Sequence, residues 1–411
     1  MKRIAIIYPW EDPSALGQGS ALRVGLLAKY LKTQFEEVRL LSIGKECCDF
    51  DGVESISYWP TPKAASLNTL FSLPYRIALY ILTLGKNKGR TFHLQQYKRF
   101  GHDRAFNALL RRTVAWADIL LVEYPFFAKR VVGMARRIGK RVIVTDHDVL
   151  FMNRENAAAG RLVYRAVRRK ELSALRSADL VVSVCDEDRR TFLANGVESV
   201  CIPHGISVRP VQEGSIDESV ASEFARLNGL PFGDRPLCSF VGSGIFPNME
   251  AADAIERLSA EVSRSWPSSD SERPFFIVAG RCKGKVRGDG FSSLGFLSDS
   301  DLSALYAISS LIIIPLASGT GASLKTIEAM ARGKVVVGTR VAFRGYPVTD
   351  GVDCIVEDSI SRFPMRIAEA LRDKDRLGSI SSAAVRFAEG YDYRKVYAAY
   401  RDLIVGGEAR T

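Results

Sequence analysis

Residues 318–339 read SGTGASLKTIEAMARGKVVVGT, and this stretch decides the fold. It follows Leu311 to Ile314, a run of branched apolar residues closed by Pro315, which predicts a strand buried on both faces. A small-residue loop with Gly319 and Gly321 then opens a helix from about Ser323 to Arg332. Gly333 ends that helix before Val335, Val336 and Val337 begin the next strand. The result is a βαβ unit whose loop lies at the carboxyl end of a strand. Such a loop offers unpaired N–H groups and the positive end of a helix dipole, which together hold a phosphate without requiring a basic side chain. Lys325 and Glu328 stand three apart and share one helix face. A cation is thereby placed to meet phosphate, and a carboxylate farther along to accept sugar hydroxyls. An i, i+3 ion pair beside a plain turn fits the same residues. The order strand, glycine loop, Lys and Glu favours a nucleotide site built from Thr320, Gly321, Ala322, Ser323, Lys325 and Glu328.

The run resembles the donor-binding motif of retaining, two-domain glycosyltransferases of the B type, family 4, and the resemblance extends over nearly the whole chain. It implies two Rossmann-like α/β domains facing across a cleft, a nucleotide-diphosphate sugar as donor, and transfer with retention of configuration. The family's ribose-holding carboxylate falls on Glu328. Many members carry a second Glu eight positions earlier, where this chain has Thr320; others have a GTG loop followed by Lys, as here.

Length agrees with two α/β domains, because 411 residues are too many for one small core. The expected division is 1–205 and 206–389, with a closing helix at about 390–411 crossing back onto the first domain. No apolar run is long enough to span a bilayer. The start, MKRIAIIYPW, reads as a first strand rather than a signal sequence. Seven cysteines without a metal-like pair suggest reduced thiols and a cytoplasmic setting. Charge is unevenly spread. Residues 1–205 hold 32 Lys plus Arg against 20 Asp plus Glu, or +12, whereas residues 206–411 hold 25 against 26, or −1. The basic half fits an anionic lipid surface, a phosphorylated acceptor, nucleic acid, or simply a solvated surface.

Within that half, the loop after the first strand contains Gly17 and Gly19 and lacks the GxGxxG pattern, which argues against a dinucleotide-dependent dehydrogenase. By the resemblance, Gly19 approaches the donor phosphates. Residues 61–112 interrupt the βα rhythm with an apolar segment, SLNTLFSLPYRIALYILTLG, followed by a basic one with aromatics. This suits either a peripheral membrane contact or a core helix and a solvated loop. No recognised DNA or RNA module surrounds it, so no nucleic acid is expected as partner. ADILLVEYP and RVIVTDHDV predict strands, the second ending at Asp146, His147 and Asp148, where open α/β sheets place ligands. His147 resembles the family's HD histidine, which faces the transferred sugar. Asp146 and Asp148 form a DxD triplet, but the same triplet recurs four more times, so no metal is expected. The basic helix RLVYRAVRRKELSALRSA predicts a buried stripe of Leu162, Val163, Ala166, Val167 and Leu175.

In the second half, strand LCSFVGSG brings Gly242 and Ser243 to a loop before a helix from about Asn248. Relatives often carry a diphosphate-neutralising Arg and Lys here; the equivalents are Ser243 and Asn248. The burden then falls on loop amides, Lys325 and Arg281, the last being equally readable as a surface residue. Phe296 and Leu297 match the family's base-packing loop. The expected catalytic set is His147, Lys325 and Glu328. Two other readings share the architecture: a sugar-nucleotide epimerase, and a catalytically silent nucleotide-binding subunit.

Overall fold

The computed structural model describes residues 2–10, 19–45, 52–62, 92–154, 156, 160–208, 217–266 and 272–406. The chain divides into two compact units. The first holds residues 1–205, 320–322 and 393–411, and the second 206–319 and 323–392.

In the first unit seven strands form one parallel sheet in the order β3-β2-β1-β4-β5-β6-β7. They are β1 (Arg3–Ile7), β2 (Glu37–Ser42), β3 (Glu54–Ser57), β4 (Ile119–Glu123), β5 (Arg141–Asp146), β6 (Leu180–Ser183) and β7 (Val200–Cys201). Helices cover the sheet: α1 (Gly19–Gln34), α2 (Arg104–Trp116), α3 (Ala128–Ala135), α4 (Arg161–Leu175) and α5 (Asp186–Ala194). Because the central strands are covered on both faces, they carry continuous apolar runs rather than alternation. Ile4, Ile6, Leu120, Leu121, Ile143 and Val144 have no exposed surface. Burying each such side chain stabilises the sheet by about 1.5–3 kcal/mol. The strand order reverses between β1 and β4, and the loops leaving that point are where such sheets bind ligands.

Local chemistry sets the ends. Gly139, at φ 66°, caps the 3-10 turn Arg136–Ile138 that follows α3. Asp103 caps α2 by accepting the Phe106 amide. On α4 the buried face is Val163, Val167, Glu171, Leu172, Ala174 and Leu175, whereas Leu162 is 58% exposed. The expected stripe is thus corrected at Leu162. Val163, Val167 and Glu171 follow the helical repeat, and Leu162 lies about 100° around from it.

The second unit repeats the plan. After α6 (Glu218–Leu227) come β8 (Leu237–Val241), α7 (Phe246–Ser265), β9 (Phe275–Ala279), β10 (Val286–Arg287), β11 (Phe291–Gly295) and α8 (Asp299–Ile308). They are followed by β12 (Leu311–Ile314), α9 (Leu324–Ala331), β13 (Val336–Gly338), β14 (Ile355–Val356), α10 (Phe363–Arg372) and α11 (Lys374–Glu389). The sheet order is β10-β11-β9-β8-β12-β13-β14, parallel except for the β10–β11 pair. Its reversal falls between β8 and β12, so the loops after these two strands emerge side by side. All four residues of β12 are buried, and Gly333 takes φ 68° to end α9's turn.

The chain then returns to the first unit. The single closing helix expected at about 390–411 is instead a turn at Tyr393–Val396 and α12 (Ala398–Val405), after α11 has ended at Glu389 in the second unit. Two fixed contacts break it. The Ile206 amide bonds Tyr391 O at 2.9 Å, and Gly205 packs so closely that a Cβ there would lie 2.6 Å from Tyr393 Cα. Among the described residues no helix is long and apolar enough to cross a membrane. The apolar segment SLNTLFSLPYRIALYILTLG falls within 63–91, outside the described residues, as do Gly17, Cys47 and Cys48.

Candidate functional site

In the second unit the reversal of strand order gathers one cluster. The β8–α7 loop brings Ser243, and the first turn of α7 brings Asn248, to the open end of α9. Asn248, almost fully buried, donates through Nδ2 to Ser243 Oγ at 2.9 Å and Ser243 O at 3.2 Å. That orientation turns Asn248 Oδ1 toward Lys325, whose Nζ donates to it and sits 4.9 Å from the Phe240 ring centroid. No carboxylate pairs with Lys325 among the described residues, and burial pushes its ammonium down to about 8. It remains mostly charged at neutral pH and gains from an incoming anion. Ser323, the N-cap of α9, makes no side-chain cap bond, which leaves first-turn amides for a ligand. One turn on, Glu328 is half-buried and its carboxyl is raised by burial.

The backbone around the cluster is built for close approach. Gly280 has φ 101°, and a Cβ there would lie 2.1 Å from Gly242 O. A Cβ on Gly242 would meet the Phe240 ring at 2.8 Å and Cys282 Sγ at 2.9 Å. Arg281 is exposed and lies over Phe296, 5.0 Å from its centroid; Phe296 itself is 56% exposed. Leu297 is half-buried beside it. Arg281 is thus a surface residue stacked on the base-packing candidate, making a flat cationic platform.

In the first unit β4 and β5 end on a buried polar network. His147, one residue past β5, places Nε2 2.6 Å from Glu123 Oε2, and both side chains are buried. Its ring stacks flat on Tyr124, with centroids 4.3 Å apart and planes at 10°. Tyr124 holds φ 67°, the left-handed region that a tyrosine adopts only under constraint. Its amide is fixed by Thr145 O at 2.8 Å. Behind Glu123, fully buried Arg23 lies 3.9 Å away and is anchored by Tyr400 Oη at 2.8 Å and Pro203 O at 2.9 Å. Tyr400, from α12, also bonds Thr145 Oγ1 at 2.7 Å.

Burial alone would raise Glu123, but the bond from His147 and the charge of Arg23 outweigh it and hold its carboxyl below the usual value. Burial lowers His147 despite Glu123, so the imidazole is neutral at pH 7. His147 Nδ1 has no hydrogen-bond partner among the described residues. A buried acceptor left so costs about 1–3 kcal/mol.

Asp146 alternates away from His147 and is entirely buried. Burial, with the charge of Glu171, keeps its carboxyl protonated well above the ordinary range. Glu171 in turn accepts the amides of Leu150 at 2.8 Å and Phe151 at 2.9 Å. Among the described residues no group of three His, Cys, Asp or Glu side chains is disposed to hold a metal ion.

The structure brings together Ser243, Asn248 and Lys325 on one side of the α9 mouth, and Arg281 with Phe296. Thr320, Gly321 and Ala322 group with the first unit. There Thr320 Oγ1 lies 2.6 Å from Asn153 Oδ1, and the Gly321 amide donates to Asp188 Oδ2 at 3.1 Å. Gly19 is the first residue of α1; the loop before it lies outside the described residues. Sequence reasoning assigned no role to Glu123 or Arg23. The signal was present: a carboxylate closing the buried strand ILLVE, and an arginine inside the apolar run ALRVGLLA.

Two α/β sheets, parallel but for the β10–β11 pair and each reversing its strand order once, define a fold of the GT-B class. The sequence matches two family models, Glycosyltransferase Family 4 over residues 19–209 and Glycosyl transferases group 1 over 235–373. The chain belongs to this glycosyltransferase family. Among solved structures, sucrose-phosphate synthase from Thermosynechococcus elongatus superposes with a TM-score of 0.69 at 14% identity, covering 100% of both chains. HepE of Anabaena in complex with UDP and glucose gives 0.68 at 13%, covering 98% of this chain and 99% of its own. WaaG, a glycosyltransferase involved in lipopolysaccharide biosynthesis, gives 0.65 at 15%, covering 98% and 100%. These likenesses carry the fold. A curated relative, an uncharacterized 44.6 kDa protein in the cps region of Klebsiella pneumoniae, is 26% identical over 174 residues. That match takes in 39% of this chain and 44% of the relative's length.

Proposed function

We propose that this chain transfers a sugar from a nucleoside-diphosphate donor to a hydroxyl-bearing acceptor, with retention of anomeric configuration and without a metal ion. The observation that carries the reading is the α9 mouth, where uncapped amides, Lys325 and Glu328 converge with Asn248 at the strand-order reversal. Cleaving the anomeric bond leaves charge on the diphosphate, and preorganised N–H donors with a cation stabilise it. Glu328, one turn on, takes the ribose hydroxyls, and the Arg281–Phe296 platform takes the base. A uridine donor comes first, because HepE was crystallised with UDP-glucose. The metal-free reading rests on Asp146, whose complete burial keeps it from any diphosphate-bound ion.

The acceptor is anionic or lipid-linked, met at the cytoplasmic face of a membrane. The support is the +12 balance of residues 1–205 and the outer face of α4, where Leu162 stands exposed among Arg161, Arg165, Arg168 and Arg169. A second reading, a nucleotide-binding subunit without turnover, draws on Thr320, which replaces a carboxylate and has its hydroxyl engaged by Asn153.

The test is hydrolysis of UDP-glucose by the whole chain, followed by proton NMR. The account expects α-glucose as the first product, with Lys325→Ala and Glu328→Ala each slowing release roughly 10²-fold. Initial β-glucose would overturn retention. Binding of UDP with no release at all would establish the silent subunit instead.

A further inference from the structure

Beneath His147 lies a second carboxylate with a job of its own. Glu123 Oε2 sits 2.6 Å from His147 Nε2, both side chains are out of solvent, and the flat stack on Tyr124 fixes the plane of the ring. A carboxylate accepts hydrogen bonds and donates none when ionised. Glu123 is kept ionised by Arg23, which is itself held from three directions by Tyr400, Pro203 and the His204 ring nitrogen at 3.4 Å. The proton between Glu123 and His147 therefore belongs to Nε2, and Nδ1 is left as a bare lone pair. That atom is buried and has no partner among the described residues.

We infer that Glu123 is a positioning residue that locks His147 in its Nε2–H tautomer, so that Nδ1 accepts a hydrogen bond from a substrate hydroxyl. The strand-end histidine cannot donate to a ligand: its only N–H is taken by Glu123. The position it reads on the ligand is thus an O–H or N–H donor, and a carboxylate or carbonyl oxygen there is refused. The dependence runs back through the chain. Tyr400 of α12 holds Arg23, Arg23 holds Glu123, and Glu123 holds the ring. The role of Nδ1 toward substrate rests on the transfer reading above, whereas the tautomer does not.

The experiment is long-range proton–nitrogen correlation NMR on the 15N-labelled full chain without substrate, between about pH 6 and 8, which brackets ordinary histidine titration. His147 is assigned among the four histidines with His147→Gln. The wild type is expected to show Nε2 protonated and Nδ1 bare across the range. Glu123→Gln, whose amide offers both donor and acceptor, is expected to lose that single tautomer. In UDP-glucose hydrolysis its acid limb is expected to move to lower pH, since Glu123 raises His147 against burial and Arg23. An Nδ1–H tautomer or a charged ring at neutral pH in the wild type overturns the inference, as does an unchanged spectrum in Glu123→Gln. Should Glu123→Gln fail to fold, the wild-type spectrum decides alone. A failed tautomer with retained hydrolysis leaves the transfer reading standing.

Discussion

At the scale of single residues, the first unit stores a proton that ordinary carboxyls release. Asp146 and Glu171 are both fully buried, and no cation pairs with Asp146 among the described residues, so folding favours the protonated pair. The folded pKa values lie above the unfolded ones. The associated stability is therefore complete below about pH 4, the unfolded carboxylate range, and is lost as pH rises through the raised folded values. Urea unfolding is expected to show a midpoint that falls from pH 5 to pH 8. Asp146→Asn, which needs no proton, is expected to flatten that fall. Parallel curves for the two proteins would mean that the pair carries no shared proton. Neither residue was legible as such in the sequence. Asp146 sat in a DxD triplet that repeats by chance along the chain, and Glu171 lay in a basic helix whose apolar stripe was read one residue out of phase at Leu162. A helix turned by 100° exchanges an exposed leucine for a buried carboxylate, and composition gives no warning of it.

At the scale of elements, the βαβ pattern was readable because buried parallel strands are unbroken apolar runs and helices end at glycines with positive φ. Leu311–Ile314, Gly333 and Gly139 all follow that rule. What the pattern concealed was loop shape. Gly280, one residue past β9, combines φ 101° with Gly242 O occupying the space of a Cβ, and its amide donates to Gly295 O at 2.7 Å. A side chain there must move the β8–α7 loop that carries Ser243 toward Asn248. Gly280→Ala is expected to cost about 1–3 kcal/mol from the backbone conformation alone, with the close contact adding to it. A chemical denaturation midpoint equal to that of the wild type would show that the loop is slack and not a built cradle. The break in the closing segment is hidden for the same reason. Its helical periodicity is continuous through RFAEGYDYRKVYAAYRDLIV, while the contacts of Tyr391 and Gly205 that break it are long-range and leave no local mark.

At the scale of the whole molecule, two Rossmann-like units were legible because strand and helix alternate through both halves; the first unit takes in residues 1–205 and the closing segment 393–411. The anchors of that segment, Tyr400 and Tyr397 around Arg23, were invisible because a buried arginine is recognised only by what surrounds it. The charge asymmetry was legible as a number, and exposed arginines on α4 now give it a surface. The candidate donor site could be read from the sequence because its order of strand, glycine loop, Lys and Glu is local. Asn248, the residue that seats Lys325, came to notice only as a missing lysine. The central claim is that a nucleoside diphosphate rests on the mouth of α9 against Lys325, with Glu328 on its ribose. Calorimetric titration with UDP tests it most directly, on wild type, Lys325→Ala and Glu328→Ala, at pH 7 and pH 9, either side of the Lys325 value of about 8. The account predicts wild-type affinity that weakens at pH 9 as the free ammonium loses its proton, and a roughly tenfold or greater loss in both variants with the pH dependence gone from Lys325→Ala. Equal affinity in all three proteins, or a pH dependence that survives Lys325→Ala, would contradict it.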